Sequence, residues 1–596
     1  MEVIKNKDTS RLTRAARGEA ACDLSIENVQ LVNVLTGEIY EANVDILDGV
    51  IVRVRDAGET LDIPSTQQIN ADGKYLVPGF IDTHMHIEST MMIPENFGYA
   101  AIGWGTTTAV TDPHEIGNVM GIEGVKFMIE SAKRSPVRIY TLAPSCVPAV
   151  PSVESAGATF LKEEIKEILN LPNVIGIAEV MDYYGVINDD ARMHDIIAAG
   201  KEVNGFIQGH APYVRGKELC AYLCGGPVSD HEVRVASELK EKLRKGMHVN
   251  IKSSSLSDTV QEFIKGIKDI PIKDLVSLCT DDVHAADLLT TGHINHIVNE
   301  CIKGGIDPID AIRFGTINAA RELHLDDIGA IAPGYVADLQ LVSNLRFDKP
   351  PEAVWTRGRL QVRYGRYLYP IENKHQQYIN TVNIPQVTSP EVFKIDTENG
   401  TKNIVFSASR ANMIPNQPLV YEEFPNENGK LIIPDLDKYQ FLAIVNRYGN
   451  RNITKVVCSD FNLKHGCVAS TISHDSHNMT IVYRNPQDAY IAAKELERVG
   501  GGMCFVENGE VKYTLPLPVA GLMSDLPANE IAEKIKEMDK WVSYASNGES
   551  PMLLAIAILA LPVRPGIIIT DMGVIRGETL QFVPLEENNY LTFTKN

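Results

Sequence analysis

Six side chains suited to binding divalent metals, His84, His86, Glu179, His210, His231 and Asp281, stand in that order at the ends of successive apolar runs. In Tyr75-Leu-Val-Pro-Gly-Phe-Ile-Asp-Thr-His-Met-His86 a buried strand passes through Pro78-Gly79 and ends in alternation, so both imidazoles face one way. Glu179 closes Val174-Ile-Gly-Ile-Ala-Glu179 and His210 closes Gly205-Phe-Ile-Gln-Gly-His210. His231 follows Gly226-Pro-Val-Ser-Asp230, and Asp281 follows Val276-Ser-Leu-Cys-Thr280. A single histidine beside an apolar run is more often a satisfied core or surface group than a ligand. The ordered set is what constrains the fold, because the carboxyl ends of the strands of a (β/α)8 barrel converge on one rim and bring ligands distant in sequence together.

Longer motifs surround these residues. Pro78-Gly-Phe-Ile-Asp-Thr-His-Met-His-Ile-Glu-Ser89, Asp112-Pro-His-Glu-Ile-Gly-Asn118, Gly209-His-Ala-Pro212, Ser229-Asp-His-Glu232 and Cys279-Thr-Asp-Asp-Val-His-Ala285 resemble the adenine deaminases of the amidohydrolase superfamily. The resemblance spans nearly the whole chain. It includes Ser473-His-Asp-Ser-His-Asn478, which is similar to that family's C-terminal domain and is not shared by amidohydrolases in general.

The expected fold is α/β: a TIM-like (β/α)8 metallo-hydrolase barrel inserted in a small β-sandwich, followed by a C-terminal α/β or α+β domain. Residues 1–23 form a lead-in and 24–75 a β meander with turns at Thr36-Gly37 and Asp48-Gly49. The second half of the sandwich returns over 326–370, in Gly334-Tyr-Val-Ala-Asp-Leu-Gln-Leu-Val342 and Ala353-Val-Trp-Thr-Arg-Gly-Arg-Leu360. Between the halves, 76–325 alternate short apolar runs with helical segments such as Lys162 to Leu171 and Asp230 to Lys245. From 375 to 596, strands around Asn403-Ile-Val-Phe406 and Leu442-Ala-Ile-Val445 mix with helices over Asp488 to Val499 and Asn529 to Lys540. Met552 to Val563 is the longest apolar run; it is too short to span a bilayer and predicts a core helix.

A formal charge of −21, with no basic stripe interleaved with aromatics, argues against nucleic acid as a partner. No apolar targeting segment is visible near the N-terminus. Nine cysteines without framework spacing predict reduced thiols and a cytoplasmic protein. Cys220 and Cys224 share a helix face and read as buried thiols, no second pair completing a zinc set. A symmetric homodimer is the expected assembly.

Imidazole and carboxylate ligands without thiolate suit Mn, Fe, Co or Zn. The resemblance implies two divalent ions per subunit, with manganese or iron favoured and zinc as the alternative. It places His84, His86 and Asp281 on one ion, His210 and His231 on the other, and Glu179 between them at a spacing of about 3.5–4 Å. It further implies hydrolysis of adenine to hypoxanthine and ammonia by attack of a bridging hydroxide on C6, with Asp281 as general base and acid. Related cyclic-amide hydrolases use a carboxylated lysine where this chain offers Glu179, which favours the deaminase branch. The P-C-x-x-C signature of zinc nucleobase deaminases is absent.

Glu88, Ser89, His114 and Glu115 follow the first two barrel strands and either face the purine edge or support the ligands. Glu232 either orients its neighbour His231 or forms a structural ion pair, and Asp282 and His284 read as a helix N-cap and a surface histidine. For His474, Asp475 and His477 three readings stand: a third ion site, a hydrogen-bonded turn and, preferred, a loop covering the substrate. The chain departs from the family pattern in Asn250-Ile-Lys-Ser-Ser-Ser255, where Lys252 could replace a basic group, in Tyr213-Val214, and in Tyr483-Arg484, expected to narrow a pocket. These departures keep open another aminopurine or a cyclic amide as substrate; a non-catalytic metal-stabilised protein is the least favoured reading, since the ligand set through Asp281 is complete.

Overall fold

The structure is a computed structural model describing residues 8–255, 258–371, 378, 380–409, 415–548 and 556–588. Eight parallel strands form the barrel: β1 Phe80–Met85, β2 Thr106–Thr111, β3 Arg138–Ala143, β4 Val174–Val180, β5 Phe206–Gly209, β6 Ser229–Asp230, β7 His248–Lys252 and β8 Val276–Cys279. Threonine, valine and isoleucine dominate these short runs, as fits strands buried on both faces. The first five pair in sequence order as one ladder and the last three as another. The amide of Val228 donates to the Ile207 carbonyl at 3.0 Å, joining the ladders between β5 and β6. At the other seam a parallel bridge links Met85 to Asp281, with His86 N donating to Asp281 O and Asp281 N to His84 O, each at 3.0 Å.

Helices between the strands cover the outside, among them His114–Ala132, Lys162–Leu169, Ala191–Glu202 and Ala236–Arg244. The last begins six residues later than the segment expected from Asp230. Ser229 and Asp230 belong to β6, and a helix there would carry His231 away from the rim. Gly209, at the end of β5, lies so close to β6 that a Cβ would meet the Ser229 carbonyl at 2.1 Å. Its lack of a side chain lets His210 and His231 stand with ring centroids 5.2 Å apart.

Nine strands drawn from both sides of the barrel form one continuous sheet, including Leu24–Asn33, Glu38–Leu47, Tyr75–Pro78, Leu339–Val342 and Ala353–Thr356. It closes over a core of Leu24, Ile26, Leu31, Val44, Leu339 and Trp355.

The C-terminal sheet is mostly antiparallel and is flanked by helices Pro486–Val499 and Ala528–Ala545, an α+β arrangement. One face packs on the first helix through Ala443, Ala469, Ile481 and Tyr483. The other, with Leu442, Ile444, Val468 and Val482, shares a core with Met85, Ile87, Met92 and Phe97 of the barrel. Full burial of such side chains is worth about 1.5–3 kcal/mol each, so the docking is strong. It is also specific: Ser524 N donates to Met91 O at 2.9 Å, and Asn96 Nδ2 to the carbonyls of Asp525 and Leu526. These bonds fix the C-terminal domain beside the segment that follows His86.

Residues 549–555, and with them the start of the helix expected from Met552, lie outside the described residues. Among the described residues no helix is long and apolar enough to cross a membrane. Cys220 and Cys224 are exposed, not buried as expected, because their face of helix Gly216–Gly225 points away from the barrel core; all nine cysteines are free thiols.

Candidate metal centre

All six residues singled out from the sequence converge at the carboxyl ends of the strands. Glu179 lies between two sets of imidazoles. Its Oε1 is 3.3 Å from His86 Nε2 and 3.8 Å from His84 Nε2, while its Oε2 is 2.5 Å from His210 Nδ1 and 3.4 Å from His231 Nε2. Asp281 Oδ1 approaches His84 Nε2 at 3.4 Å and His86 Nε2 at 3.2 Å. Five of the six are buried, His210 partly so.

Burial alone would raise the Glu179 carboxyl, but His210, His231 and His86 outweigh it and hold the group well below the usual carboxylate range. Burial acts on Asp281 in the same sense, and there the Lys252 ammonium, then His84 and His86, keep the group ionised. Two buried anions facing four imidazoles form a pocket arranged around positive charge.

Neighbouring groups set the imidazole tautomers. Gln208 Oε1 lies 2.7 Å from His84 Nδ1, and Gln208 Nε2 is itself committed to the Thr83 carbonyl at 3.0 Å. Nδ1 therefore carries the proton and His84 Nε2 presents its lone pair; that nitrogen is buried with no hydrogen-bond partner among the described residues. The Asp112 carbonyl, 3.1 Å from His86 Nδ1, does the same for His86. A donor set of neutral imidazoles and carboxylates, with an orphaned nitrogen facing inward, fits divalent cations.

The C-terminal domain reaches this rim through His474 to Asn478. His474 Nδ1 is 3.1 Å from Glu115 Oε1, His477 Nε2 is 4.0 Å from Glu115 Oε2, and Asp475 Oδ1 is 3.6 Å from His114 Nε2. His114 is held by Asp112, whose Oδ2 lies 3.0 Å from His114 Nδ1. Ser89 Oγ donates to Asp282 Oδ1 at 2.5 Å and to Glu115 Oε1 at 3.3 Å. Burial and then Glu115 push the Glu88 carboxyl up to about 8, whereas His474, against its own burial, is raised to about 9 by Glu115. The Ser473 amide donates to His477 Nδ1 at 3.2 Å, which leaves the proton of the neutral ring on Nε2. His474 and His477 thus turn N–H groups into this cluster and Glu115 offers the accepting carboxylate, the pattern of a hydrogen-bonding group, although one ligand atom from each of the three also lies within 4.8 Å of the others.

Residues 75–360 match the family model described as Amidohydrolase family, and residues 419–581 that of the Adenine deaminase C-terminal domain. The chain is 35% identical to Adenine deaminase 2 of Carboxydothermus hydrogenoformans, over 97% of this chain and 100% of that protein. It is 34% identical to Adenine deaminase of Oleidesulfovibrio alaskensis, over 98% and 100%. The chain belongs to the adenine deaminase family. Adenine deaminase of Staphylothermus marinus is 33% identical over 96% of this chain and 97% of that protein. Membership in a family of amidohydrolases brings with it the use of divalent metal.

Against that family background the expected departures fall in three different places. Tyr483 packs on Phe441 with ring centroids 5.3 Å apart and donates to the Phe393 carbonyl at 2.6 Å, and Arg484 binds the carbonyls of Leu436 and Leu463. Both belong to the C-terminal core or its edge, away from the barrel mouth, so they narrow no pocket there. Tyr213 is 64% exposed, its amide donating to Glu238 Oε1 at 2.9 Å. Asn250 is buried among Thr83, Ser277 and Glu322.

Lys252 reaches the site, contacting Asp281 and Glu232, and Ser255 lies beside it, its amide donating to Asp282 O at 2.7 Å. Glu232 pairs with Lys252 and Arg234, and its Oε1 also lies 3.9 Å from His231 Nε2. Asp282 does not cap a helix, since its carboxylate is committed to Ser89, and half-buried His284 occupies the N-cap position of helix Ala285–Thr290 through its backbone.

Gln208 and Asp112 were not singled out as site residues. The signal for Gln208 was a long polar side chain two residues before His210 in an otherwise apolar strand. Replacing Gln208 by leucine is expected to lower metal affinity about 10–100-fold while preserving the fold, the cost typical of losing a group that orients a metal-binding histidine. Metal titration of the apo-protein followed by circular dichroism measures both; unchanged affinity would remove Gln208 from this role.

Proposed function

We infer that the protein hydrolyses adenine to hypoxanthine and ammonia. The observation that carries this reading is the joining of Glu179 and its four imidazoles to His474–Asn478, a segment within the matched adenine deaminase C-terminal region, at one barrel mouth. His84, His86 and Asp281 would hold one divalent ion, His210 and His231 a second, and Glu179 would serve both. The family likeness favours manganese or iron, with zinc as the alternative; the nitrogen and oxygen donor set suits all three. Such ions, when bound, lower the pKa of water toward 7 and so supply a nucleophile at neutral pH.

The protein's own groups account for the remaining steps. Asp281 Oδ1 faces the imidazole pair and can accept a proton and return it to the departing amine. Glu88 Oε2, Asp475 Oδ2 and His477 Nε2 are buried without a hydrogen-bond partner among the described residues. Unmet polar groups of this kind are costly unless a ligand completes them. Adenine offers ring-nitrogen acceptors and N–H donors on one rigid plane, and the set supplies both complements: the His477 N–H donates, Asp475 accepts, and Glu88, its carboxyl pushed up by burial and Glu115, offers an oxygen to the same plane. Ser89, His114 and Glu115 hold these groups in place, and Glu232 stands behind Asp281 through Lys252. A cytosolic homodimer belongs to the same reading; the free thiols are consistent with a reducing compartment.

The test is ammonia release together with the ultraviolet change from adenine to hypoxanthine, using protein expressed with added manganese. Stoichiometric production of both is the expected result. Absence of turnover in protein carrying its full complement of metal would eliminate adenine and direct the search to other aminopurines and cyclic amides.

A further inference from the structure

Lys252 is almost wholly buried at the end of β7. Its Nζ donates to Asp281 Oδ2 at 2.8 Å and also contacts Glu232 Oε1, while the other Glu232 oxygen contacts Arg234 Nη2. A row of alternating charge, Arg234, Glu232, Lys252, Asp281, thereby runs from a guanidinium with 36% side-chain exposure to the carboxylate that faces His84 and His86. Such a row is an expensive way to stabilise a fold, since an apolar residue of similar volume often serves as well as a buried ion pair.

The placement of Asp281 shows what the row accomplishes. Its backbone sits at φ 60°, a left-handed conformation that aspartate tolerates better than most residues. Its amide is tied to β1 through His84 O and its carbonyl to the residue just after β1, through His86 N. The Cα position is therefore fixed from one side of the barrel seam. Rotation about χ1 and χ2 is left; χ2 is a broad torsion for aspartate, and since the two carboxylate oxygens are equivalent it is the tilt of the carboxylate plane that has to be held. Lys252 removes that freedom by taking Oδ2, so Oδ1 alone meets the imidazole pair at 3.2 and 3.4 Å.

We propose that Lys252 is the positioning residue for Asp281, dividing its carboxylate between one oxygen that serves the metal centre and one withheld from it, with Glu232 and Arg234 anchoring the lysine. This rests on the metal-hydrolase reading but not on adenine as the substrate. The row was open to view in the sequence only as a departure, Asn250-Ile-Lys252, and nothing in the spacing placed Lys252 beside Asp281.

Cobalt(II)-loaded protein tests the proposal without turnover. In Lys252→Met, cobalt content is expected to match the parent protein while the visible absorption of the bound cobalt changes, because Oδ2 is freed to join the coordination. If adenine is the substrate, kcat falls about 100-fold with KM within about threefold, the scale of a misplaced catalytic group. Lys252→Gln, which keeps a donor of similar reach, is expected to recover part of the parent spectrum and rate, and stands in should the methionine variant fail to fold. Glu232→Gln is expected to lower kcat about tenfold by loosening the lysine. An unchanged cobalt spectrum at full occupancy overturns the proposal. So does a rise in KM at constant kcat, which would make Lys252 a substrate contact, or loss of cobalt in both Lys252 variants, which would make it structural. Failure of the parent protein to deaminate adenine leaves the cobalt comparison decisive.

Discussion

Asp281→Asn is expected to lower kcat for ammonia release about 1,000-fold, with a much smaller effect on KM. Asparagine keeps the shape of the side chain, and its carbonyl oxygen can still approach His84 and His86. It cannot accept a proton, however, and general acid–base catalysis by a positioned side chain contributes about 100- to 10,000-fold. A thousandfold loss corresponds to about 4 kcal/mol of transition-state stabilisation. The substitution also leaves one accepting oxygen where there were two, so the amide has two ways to settle. With its oxygen toward Lys252 the NH₂ faces the imidazoles, and with its oxygen toward the imidazoles Lys252 loses a partner 2.8 Å away. Steady-state kinetics paired with metal analysis separates the two effects: if chemistry is what fails, the variant retains most of its metal and still binds adenine. A variant keeping more than a tenth of parental kcat at full metal content would remove Asp281 from the proton-transfer role. Measured beside Lys252→Met, it also separates having a base from having it correctly turned.

How much of this centre could be read from the chain depends on whether a residue's role follows from its place along a strand or from its partners across space. His84 and His86 are legible because period-two alternation sends both imidazoles to one side, and the fold puts their ring centroids 4.7 Å apart. Glu179, His210, His231 and Asp281 are legible because each ends an apolar run, and strand ends meet on one rim. Gln208 and Lys252 obey no such rule. Each sits within a strand as an unexplained polar residue, and the group that gives it meaning is 124 positions away for Gln208 and 29 for Lys252. The same limit explains the expectation for Tyr483. Nearness in sequence to His477 suggested the barrel mouth, but Tyr483 ends a strand whose alternating side chains face opposite sides of the C-terminal sheet, Val482 toward the barrel and Tyr483 toward helix Pro486–Val499. The helix expected from Asp230 failed for a related reason: a two-residue strand is too short to register as a pattern.

Glu179→Gln is expected to abolish measurable deamination, a loss of at least about 1,000-fold, and to lower bound metal at the same time. The argument follows from where its oxygens lie. Oε1 faces His84 and His86, and Oε2 faces His210 and His231, so the carboxylate is the one group shared by both halves of the centre. Glutamine keeps one oxygen and replaces the other by an NH₂ that repels a cation and offers no lone pair. Whichever way the amide turns, one half loses its anionic donor. The half with His210 and His231 keeps Glu232 Oε1, 3.9 Å from His231 Nε2 but already paired with Lys252, whereas the other retains Asp281 at 3.2 and 3.4 Å, so preferential loss of the ion at His210 and His231 is the expected pattern. Removing a Lewis acid takes several kcal/mol of charge stabilisation from the transition state, which accounts for the size of the effect. Metal analysis of protein purified under limiting manganese, compared with Asp281→Asn under the same conditions, is the measurement. On the proposed assignment Asp281 belongs to one half alone, so its variant should hold more metal than the Glu179 variant; equal or reversed occupancies would mean that Glu179 is not the shared ligand and that the centre is organised around Asp281 instead.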